Sequence, residues 1–217
     1  MPGGDWIHPT DALGAFTGEG LIPIDAVHRQ GVPHKGVWLH VFSDDGHILL
    51  VHRSPQMATC PNTWSTIGEH HSGREDDVQC AHRAVREELP GLKDLLGTPR
   101  MQLTRLRAQP RWFLFDYPSS YSHAAAAAAR VQRVDRCLIS EYLVHVRANA
   151  SEALLLLTAG RAKETEHEAS RMAFVPLHQV ARRLRRHPES FCAPELFPRA
   201  LLDSYASACG NLSLIHI

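Results

Sequence analysis

The sequence predicts a mixed α/β (α+β) domain, because short β-branched and aromatic runs alternate with stretches whose apolar residues recur at helical spacing. A length of 217 residues suits one domain with a full hydrophobic core, or one domain with extensions. We expect an irregular arm rich in Gly and Pro over residues 1–20 and a single domain over 21–207. The tail, 208–217, is expected to be foreign to the fold, since its ending, NLSLIHI, resembles translated adapter sequence.

The predicted strands begin with a β-hairpin. Its two apolar runs, GVWLHVF (36–42) and HILLVHR (47–53), flank the turn signal SDDG. Further strand candidates are rich in β-branched or aromatic residues and lie at 65–68, 111–117, 137–148 and 172–177. Together these runs supply the sheet of the predicted domain.

The clearest helix is predicted over residues 76–89. Apolar residues recur there at spacings of three and four, namely Val78, Ala81, Val85 and Leu89. Asp76 and Asp77 favour the N-terminus through capping and the helix dipole. Pro90, which is followed by Gly91, ends the helix.

Four other segments carry weaker signals. LLLLTA (154–159) is apolar and fits either a strand or a helix. HQVARRLRRHP (178–188) predicts a basic amphipathic helix, and a last helix is expected to open in FCAPELFPRALLDSY (191–205). The low-complexity tract HAAAAAAR (123–130) predicts an inserted loop or a short helix.

The composition excludes several classes of protein. Lys+Arg and Asp+Glu number 23 each, so no overall field favours nucleic acid or an acidic membrane, and we expect neither as a partner. No run of about 18 apolar residues predicts a transmembrane helix, and the expected location is the cytoplasm. The five cysteines form no CxxC pair, which predicts reduced thiols rather than a disulfide framework or a zinc ribbon.

The stretch TIGEHHSGREDDVQCAHRAVREELPGL (66–92) carries the chemistry of the candidate site. On its helix Arg83 and Glu87 are four residues apart, so the guanidinium can hold that carboxylate. Glu87 and Glu88 are adjacent near the helix C-terminus, where the dipole and their mutual repulsion disfavour both charges. A hard cation such as Mg²⁺ relieves that repulsion and bridges carboxylates to substrate phosphates. The alternative is an ordinary solvated helix face.

The spacing of this stretch resembles the Nudix box, G-x5-E-x7-R-E-U-x-E-E-x-G-U, in which U is apolar. Five positions match in one register: Glu75, Arg83, Val85, Glu87 and Glu88. The resemblance implies a mixed β-sheet sandwiched between helices and a diphosphate held by Mg²⁺ or Mn²⁺. The metal ligands that it implies are Glu75, Glu87, Glu88, His70 and Glu141.

Three positions depart from the box. The opening glycine falls on Glu69, the glutamate after the arginine is Ala84, and the late glycine falls on Pro90. The change at Ala84 removes an implied metal ligand. Activity with a single metal and loss of activity are both open.

Residues before the box resemble the Nudix branch that contains isopentenyl-diphosphate isomerase. That branch has two histidines, a G-x-LL-x-x-R hairpin and P-x-x-W. The matching residues in this sequence are His28, His34, Gly46, Leu49, Leu50, Arg53, Pro61 and Trp64. The resemblance covers roughly residues 22–205. It implies a phosphate contact for Arg53, although a surface charge is an equal alternative.

The same branch implies a second metal site at His28 and His34, together with His70. Three imidazoles and a carboxylate suit Zn or Mn better than Mg; the alternative is that His28 and His34 only pack the loop. The isomerase also needs a cysteine in the turn before the helix. Gly68 occupies that place, which argues against isomerisation.

Glu141 lies in LISEYLVHV, where a lone acid among apolar neighbours is costly unless it is paired or bound to metal. In the family, a glutamate on the corresponding strand reaches the metals or activates water. We therefore expect Glu141 to be the general base, while Arg83 orients Glu87. We expect Trp38, Trp112 and Phe113 either to contact an organic group of the substrate or to pack in the core.

The predicted function is metal-dependent hydrolysis of a diphosphate linked to an organic group, with a small molecule of unknown identity as substrate. Three alternatives remain open. The chain could be a catalytically weak Nudix fold that serves as a ligand-binding or interaction module, an isopentenyl-diphosphate isomerase, or a binder of RNA or acidic lipid through the basic helix. The oligomeric state is open, a homodimer included.

Overall fold

The computed structural model describes residues 6–57, 59–117, 133–159 and 169–197. Its strands are β1 (Trp6–Ile7), β2 (Ile22–Pro23), β3 (His34–Ser43), β4 (His47–Arg53), β5 (Trp64–Ser65), β6 (Ile67–His70), β7 (Met101–Arg105), β8 (Arg111–Tyr117), β9 (Arg133–Val146) and β10 (Ala169–Pro176). Its α-helices are α1 (Ile24–Gln30), α2 (Asp77–Glu88), α3 (Ala150–Ala159) and α4 (Leu177–Arg186). The predicted alanine-rich loop at 123–130 and the tail at 208–217 lie outside the described residues.

One mixed sheet organises the domain. β10, β4, β3, β9 and β7 are neighbours in that order, while β5, β6 and β8 pair with β4, β3 and β9. β3 and β9 run parallel at the centre, with His34 opposite Cys137 and Trp38 opposite Glu141. Because residues directly opposite each other point to the same face, this register decides which side chains of the two strands meet.

The two faces of the sheet bury separate apolar clusters. Val37, Leu39 and Val41 of β3 pack with α2 and α3. The alternate residues Trp38 and Phe42 pack on the other face with α4 and the segment that follows it. Helices therefore cover both faces, and the predicted fold class, a mixed sheet sandwiched between helices, is confirmed.

The helix α2 begins and ends where the sequence predicts. Asp76 is its N-cap and accepts from the Gln79 backbone N–H, while the Gln79 side chain accepts from the Asp76 N–H, a reciprocal capping box. The predicted apolar stripe is wrong at one position, because Val78 is 48% exposed. Cys80 and Ala84 are fully buried in its place, since the sheet covers a wider arc of the helix than the stripe assumed.

After α2, the structure defines two segments whose conformation the sequence left open or predicted only weakly. LLLLTA belongs to the helix α3, which packs against the 3₁₀ turn Pro90–Leu95. The approach is so close that a Cβ on Gly91 would lie 1.9 Å from the Leu156 carbonyl oxygen, so glycine is needed there. In the described part of the predicted last helix, only the 3₁₀ turn Pro194–Leu196 forms.

The prediction that all cysteines are reduced is wrong. Cys60 and Cys192 form a disulfide although 132 positions separate them, and their Cα atoms lie 5.4 Å apart. The pairing depends on the tertiary fold, since Phe191 bridges to Trp64 and the Cys192 N–H donates to the Trp64 carbonyl. Cys80 and Cys137 are free and buried.

Candidate functional site

A cavity of about 510 Å³ lies beside β3, β6 and the first half of β9. The C-terminal end of α2 forms one wall with Glu87 and Glu88. Arg53 at the end of β4 and Arg133 at the start of β9 also line it. The cavity thus places carboxylates and guanidinium groups around one space.

Arg83 fixes the carboxylates of the α2 wall. Its guanidinium lies 2.8 Å from Glu87, 2.7 Å from Glu75 and 3.3 Å from Glu69, and it donates to the His70 carbonyl oxygen at 2.5 Å. These acceptors raise the pKa of Arg83 further against the effect of its burial. The predicted i,i+4 contact is present, and the same fork also fastens the turn before the helix.

The acidic residues divide into two groups by position. Glu69, Glu87 and Glu88 line the cavity. Glu75 does not, because its carboxylate accepts from Arg83 and from the Ser72 N–H instead; these bonds lower the pKa of Glu75 against its desolvation. Glu69 was missed as a candidate, since the sequence comparison treated it only as a substituted glycine.

Three histidines converge beside the cavity, which His28 and His70 line. The ring centroids of His34 and His70 lie 5.0 Å apart, and each lies 5.6 Å from the centroid of His28. One nitrogen from each ring falls within 4.8 Å of the other two. The structure therefore brings together His28, His34 and His70, the three histidines that the sequence predicts as a metal site.

These imidazoles are in the form that binds metal. Burial lowers the pKa of His28 to about 3 and that of His34 to about 4, and it lowers the pKa of His70 well below its ordinary value. Among the described residues, His28 Nε2 and His34 Nε2 are buried without a hydrogen-bond partner. Neutral rings with uncommitted nitrogens fit a transition-metal ion.

Two residues of β9, Asp135 and Cys137, lie beside His34. His34 Nε2 lies 3.4 Å from Asp135 Oδ1, and burial raises the pKa of Asp135 to about 7. Burial also raises the pKa of the Cys137 thiol well above its usual value. Sequence reasoning missed both; the period-two alternation that extends back from Glu141 along the strand was the available signal.

One comparison with known proteins identifies the family. The NUDIX domain matches residues 32–196. The chain belongs to the Nudix family. No curated protein matches it in sequence. Among solved structures, this Nudix protein is similar to a protein from Deinococcus radiodurans at 13% identity and a TM-score of 0.54, over 84% of this chain and 90% of that one.

Two structures described as mutT/nudix or MutT proteins are more distant in shape. A mutT/nudix family protein from Listeria innocua is 18% identical, with a TM-score of 0.46 over 84% of this chain and 97% of the other. A MutT protein from Methanosarcina mazei is 12% identical, with a TM-score of 0.44 over 81% and 94%. The similarity to the Deinococcus structure is one of fold.

The departures from the Nudix box have structural counterparts. Ala84 is fully buried among apolar residues between α2 and the sheet, so no carboxylate enters the cavity from that position. A Cβ on Gly68 would lie 3.2 Å from Cδ1 of Trp38. A cysteine at this place would therefore require the indole ring to shift.

Glu141 is placed away from the cavity lining of this Nudix domain. It is 2% exposed, forms an ion pair with Arg111 and lies 3.5 Å from Arg107 Nε. The buried acid is thus paired, as its surroundings require. Its assignment as general base stays a prediction, which the pairing does not favour.

The aromatic residues and the arginine that the sequence predicts as substrate contacts differ in their position relative to the cavity. Trp38 and Phe113 line the cavity and meet edge to face, with centroids 4.8 Å apart. Trp112 is 42% exposed and donates to the Ala12 carbonyl oxygen. Arg53 donates to the Thr59 carbonyl and hydroxyl oxygens, so the loop after β4 orients it toward the cavity.

Proposed function

We propose that the protein is a divalent-metal-dependent hydrolase of a diphosphate linked to an organic group. One observation carries the proposal: within a single cavity, carboxylates ordered by Arg83 and the cationic groups of Arg53 and Arg133 share one space. Carboxylates suit Mg²⁺ or Mn²⁺, and guanidinium groups suit phosphate oxygens. A diphosphate bridged by metal would satisfy both.

Each residue then has a role of its own. Glu87 and Glu88 hold the hard metal, and Arg83 holds Glu87 in place through the 2.8 Å contact. A bound divalent ion neutralises phosphate charge and lowers the pKa of water. Arg53, oriented by Thr59, binds a phosphate oxygen.

The cavity also offers a place for the organic group. Trp38 and Phe113 present aromatic surface to it, and Tyr117 extends that wall. A volume of about 510 Å³ is that of a small-molecule pocket. The proposed substrate is therefore a small diphosphate ester, and the aromatic rings would contribute to its selection.

A panel assay tests the proposed reaction. We expect cleavage of the diphosphate link, detected as the two phosphate-bearing products, in at least one member of a set of nucleotide sugars, dinucleoside polyphosphates and prenyl diphosphates, supplied with Mg²⁺ or Mn²⁺. Glu88→Gln should abolish that cleavage, while Glu152→Gln on α3 should not. A correctly folded, metal-supplied wild type that turns over no member would count against the proposal.

A weak or inactive binding module is a second candidate, and the buried Ala84 favours it. Calorimetry distinguishes the two, because a module binds the diphosphate without turnover and without need of a metal. Isomerisation finds less support, since the lining residue at position 68, where that branch has its cysteine, is a glycine. No helix among the described residues has the length and apolar character to cross a membrane. The cytoplasm stays a proposal, which the disulfide between Cys60 and Cys192 does not favour.

A further inference from the structure

A row of side chains connects the aromatic wall of the cavity to a buried carboxylate. Glu141 of β9 lies opposite Trp38 of β3 in the parallel register, so their side chains share one face of the sheet. Arg111 of β8 lies opposite Ile139, two positions before Glu141, and therefore shares that face as well. Trp38 lines the cavity, whereas Glu141 is buried and is not among the described lining residues. The strands thus place an acid, a guanidinium and an indole side by side.

Arginine side chains hold both oxygens of Glu141. Oε1 accepts from Arg111 Nε, and Oε2 lies 3.5 Å from Arg107 Nε. The Glu141 side chain is 1% exposed, so these cations, rather than water, compensate the cost of burying its charge. A carboxylate engaged in this way is poorly placed to accept a proton from water or to bind a metal. Its main effect on its surroundings is to hold Arg111.

Arg111 in turn contacts the indole of Trp38. Its guanidinium carbon lies 5.4 Å from the centroid of the ring, which is within the range of a cation–π interaction. Arg111 Nη2 is buried and has no hydrogen-bond acceptor among the described residues. The π electrons of the indole supply the favourable contact that this buried donor lacks. The position of Trp38 therefore depends on Arg111, and that of Arg111 on Glu141.

The other neighbours of the indole restrict its orientation further. Phe113 meets it edge to face, with ring centroids 4.8 Å apart. A Cβ at Gly68 would lie 3.2 Å from Cδ1 and 3.3 Å from Nε1 of Trp38, so glycine leaves the room that the ring occupies. Where the isomerase branch has a thiol, this chain therefore has the edge of an indole.

We propose that Glu141 and Arg111 are positioning residues that hold Trp38 as a surface against which a planar ring of the substrate packs. The inference rests on the proposed function, because the bound diphosphate brings the organic group to this wall. Aromatic rings prefer offset-stacked or edge-to-face arrangements, so the orientation of the indole decides how well a planar ring fits. A saturated ring has no such preference. Glu141 thus acts through Arg111 and Trp38, and not on the metal or on water.

Two matched probes measure this selection. They are the benzyl and the cyclohexylmethyl esters of methylenediphosphonate, which have equal numbers of carbon atoms and a bridge that hydrolysis cannot cleave. Calorimetry on the full-length chain with Mg²⁺ should show about 5-fold tighter binding of the benzyl probe, the order that an aromatic pair adds beyond its buried area. Trp38→Leu should remove this preference. The matched control, Trp112→Leu, changes a tryptophan that is 42% exposed and should keep it.

A double-mutant cycle tests whether Glu141 acts through Arg111. Arg111→Met should lose most of the preference, and the addition of Glu141→Leu should lose no more, because the link is already broken. The double variant also leaves no unpaired buried charge. Arg136→Met, at an exposed position of β9, is the control and should keep the preference. A preference that survives in the double variant, or a further loss when Glu141→Leu is added, would overturn the proposal.

Arg111→Lys covers the case in which these variants do not fold. Lysine keeps a cation beside Glu141 but lacks the planar guanidinium that lies against the indole, so the preference should fall in a stable protein. An unchanged preference would overturn the positioning of Trp38. Equal binding of the two probes by the wild type would overturn the proposal and leave the proposed hydrolysis standing. Binding of neither probe would overturn both, since it removes the diphosphate site.

Discussion

At the scale of single residues, Arg83 connects the turn and the helix of the proposed hydrolytic site. Its fork geometry matters as much as its charge, because it contacts the separate carboxylates of Glu69, Glu75 and Glu87. Lysine would keep the charge and lose the fork. The carboxylate of Glu87 would then lose its defined position relative to the metal.

We therefore expect Arg83→Lys to lower kcat by about 100-fold, the order of loss that follows a misplacement of roughly 1 Å. KM should change much less, since Arg83 orients a ligand and does not form the whole substrate site. Steady-state kinetics on the best substrate of the panel measures both constants. Arg86→Lys, an exposed change on the same helix, is the control. Equal kcat in the two variants would contradict the role of Arg83.

His40 provides a test of buried charge away from the metal residues. It is fully buried on β3, and burial is the main cause that lowers its pKa to about 4, with Arg111 lowering it and Glu141 raising it. As pH falls from 6.5 to about 4, His40 therefore becomes protonated in the unfolded state and stays neutral in the folded state. Stability is present above that window and is lost within it.

We predict that His40→Leu reduces this acid destabilisation, by on the order of 3 kcal/mol across the window. Urea unfolding at pH 7 and at pH 4.5 measures the difference for each protein. His178→Leu, at an exposed position of α4, should leave the pH dependence of wild type unchanged. The same pH dependence in wild type and in His40→Leu would show that this histidine does not carry the effect.

The sequence indicates part of the site well and part of it poorly. Arg83 and Glu87 lie four apart on one helix, so local geometry alone predicts their contact, which the structure confirms. Asp135 and Cys137 lie far along the chain from His34. Their approach depends on the parallel register of β3 and β9, which no local pattern reveals.

At the scale of elements, Asp77 ties the start of α2 to three strands and to the turn before the helix. Its carboxylate accepts from Ser140 at 2.5 Å and from Arg105 at 2.6 Å, and Lys35 and His71 each approach within 3.2 Å. These partners lower the pKa of Asp77 against its desolvation. The helix that carries Glu87 and Glu88 is thereby anchored at its opposite end.

Asp77→Asn should destabilise the fold by about 3 kcal/mol, because Lys35, Arg105 and the buried His71 and Ser140 lose the charge that they share. Thermal and urea unfolding give the value. Asp94→Asn, on the exposed side of the 3₁₀ turn after α2, should change stability by less than about 0.5 kcal/mol. Similar values for the two variants would mean that the Asp77 network contributes little.

Elements with strong local signals were predicted closely, and elements without them were not. The hairpin at β3 and β4 and the helix α2 have clear periodicity and end signals, and the structure confirms them. The helix α1 is seven residues long, and β7 alternates too weakly to stand out. Both form because neighbouring elements pack against them, which is a tertiary effect.

At the scale of the whole molecule, the disulfide joins the loop after β4 to the segment after α4. Met57 and Thr59 of that loop line the cavity, as do Cys192 and Ala193 on the other segment. The crosslink spans 132 positions, so it restricts the unfolded chain strongly. Composition alone could not predict it, because cysteines so far apart in sequence meet only in the folded chain.

Reduction of this bond should cost about 4–5 kcal/mol of stability in the loop-entropy account. We expect Cys60→Ser with Cys192→Ser, and the wild type treated with a dithiol, to unfold at similarly lowered temperatures. The double variant should not respond further to the dithiol. A wild type whose unfolding temperature is insensitive to full reduction would contradict the contribution of the disulfide.

The most direct test of the central claim, hydrolysis at phosphorus, is turnover in ¹⁸O-labelled water with mass analysis of the products. We predict that the best diphosphate substrate is cleaved only with Mg²⁺ or Mn²⁺, and that one phosphate product carries the label from water. A binding module would return the substrate intact, and an isomerase would return a diphosphate without label at phosphorus. Either of those results, with folded and metal-supplied protein, would contradict the account.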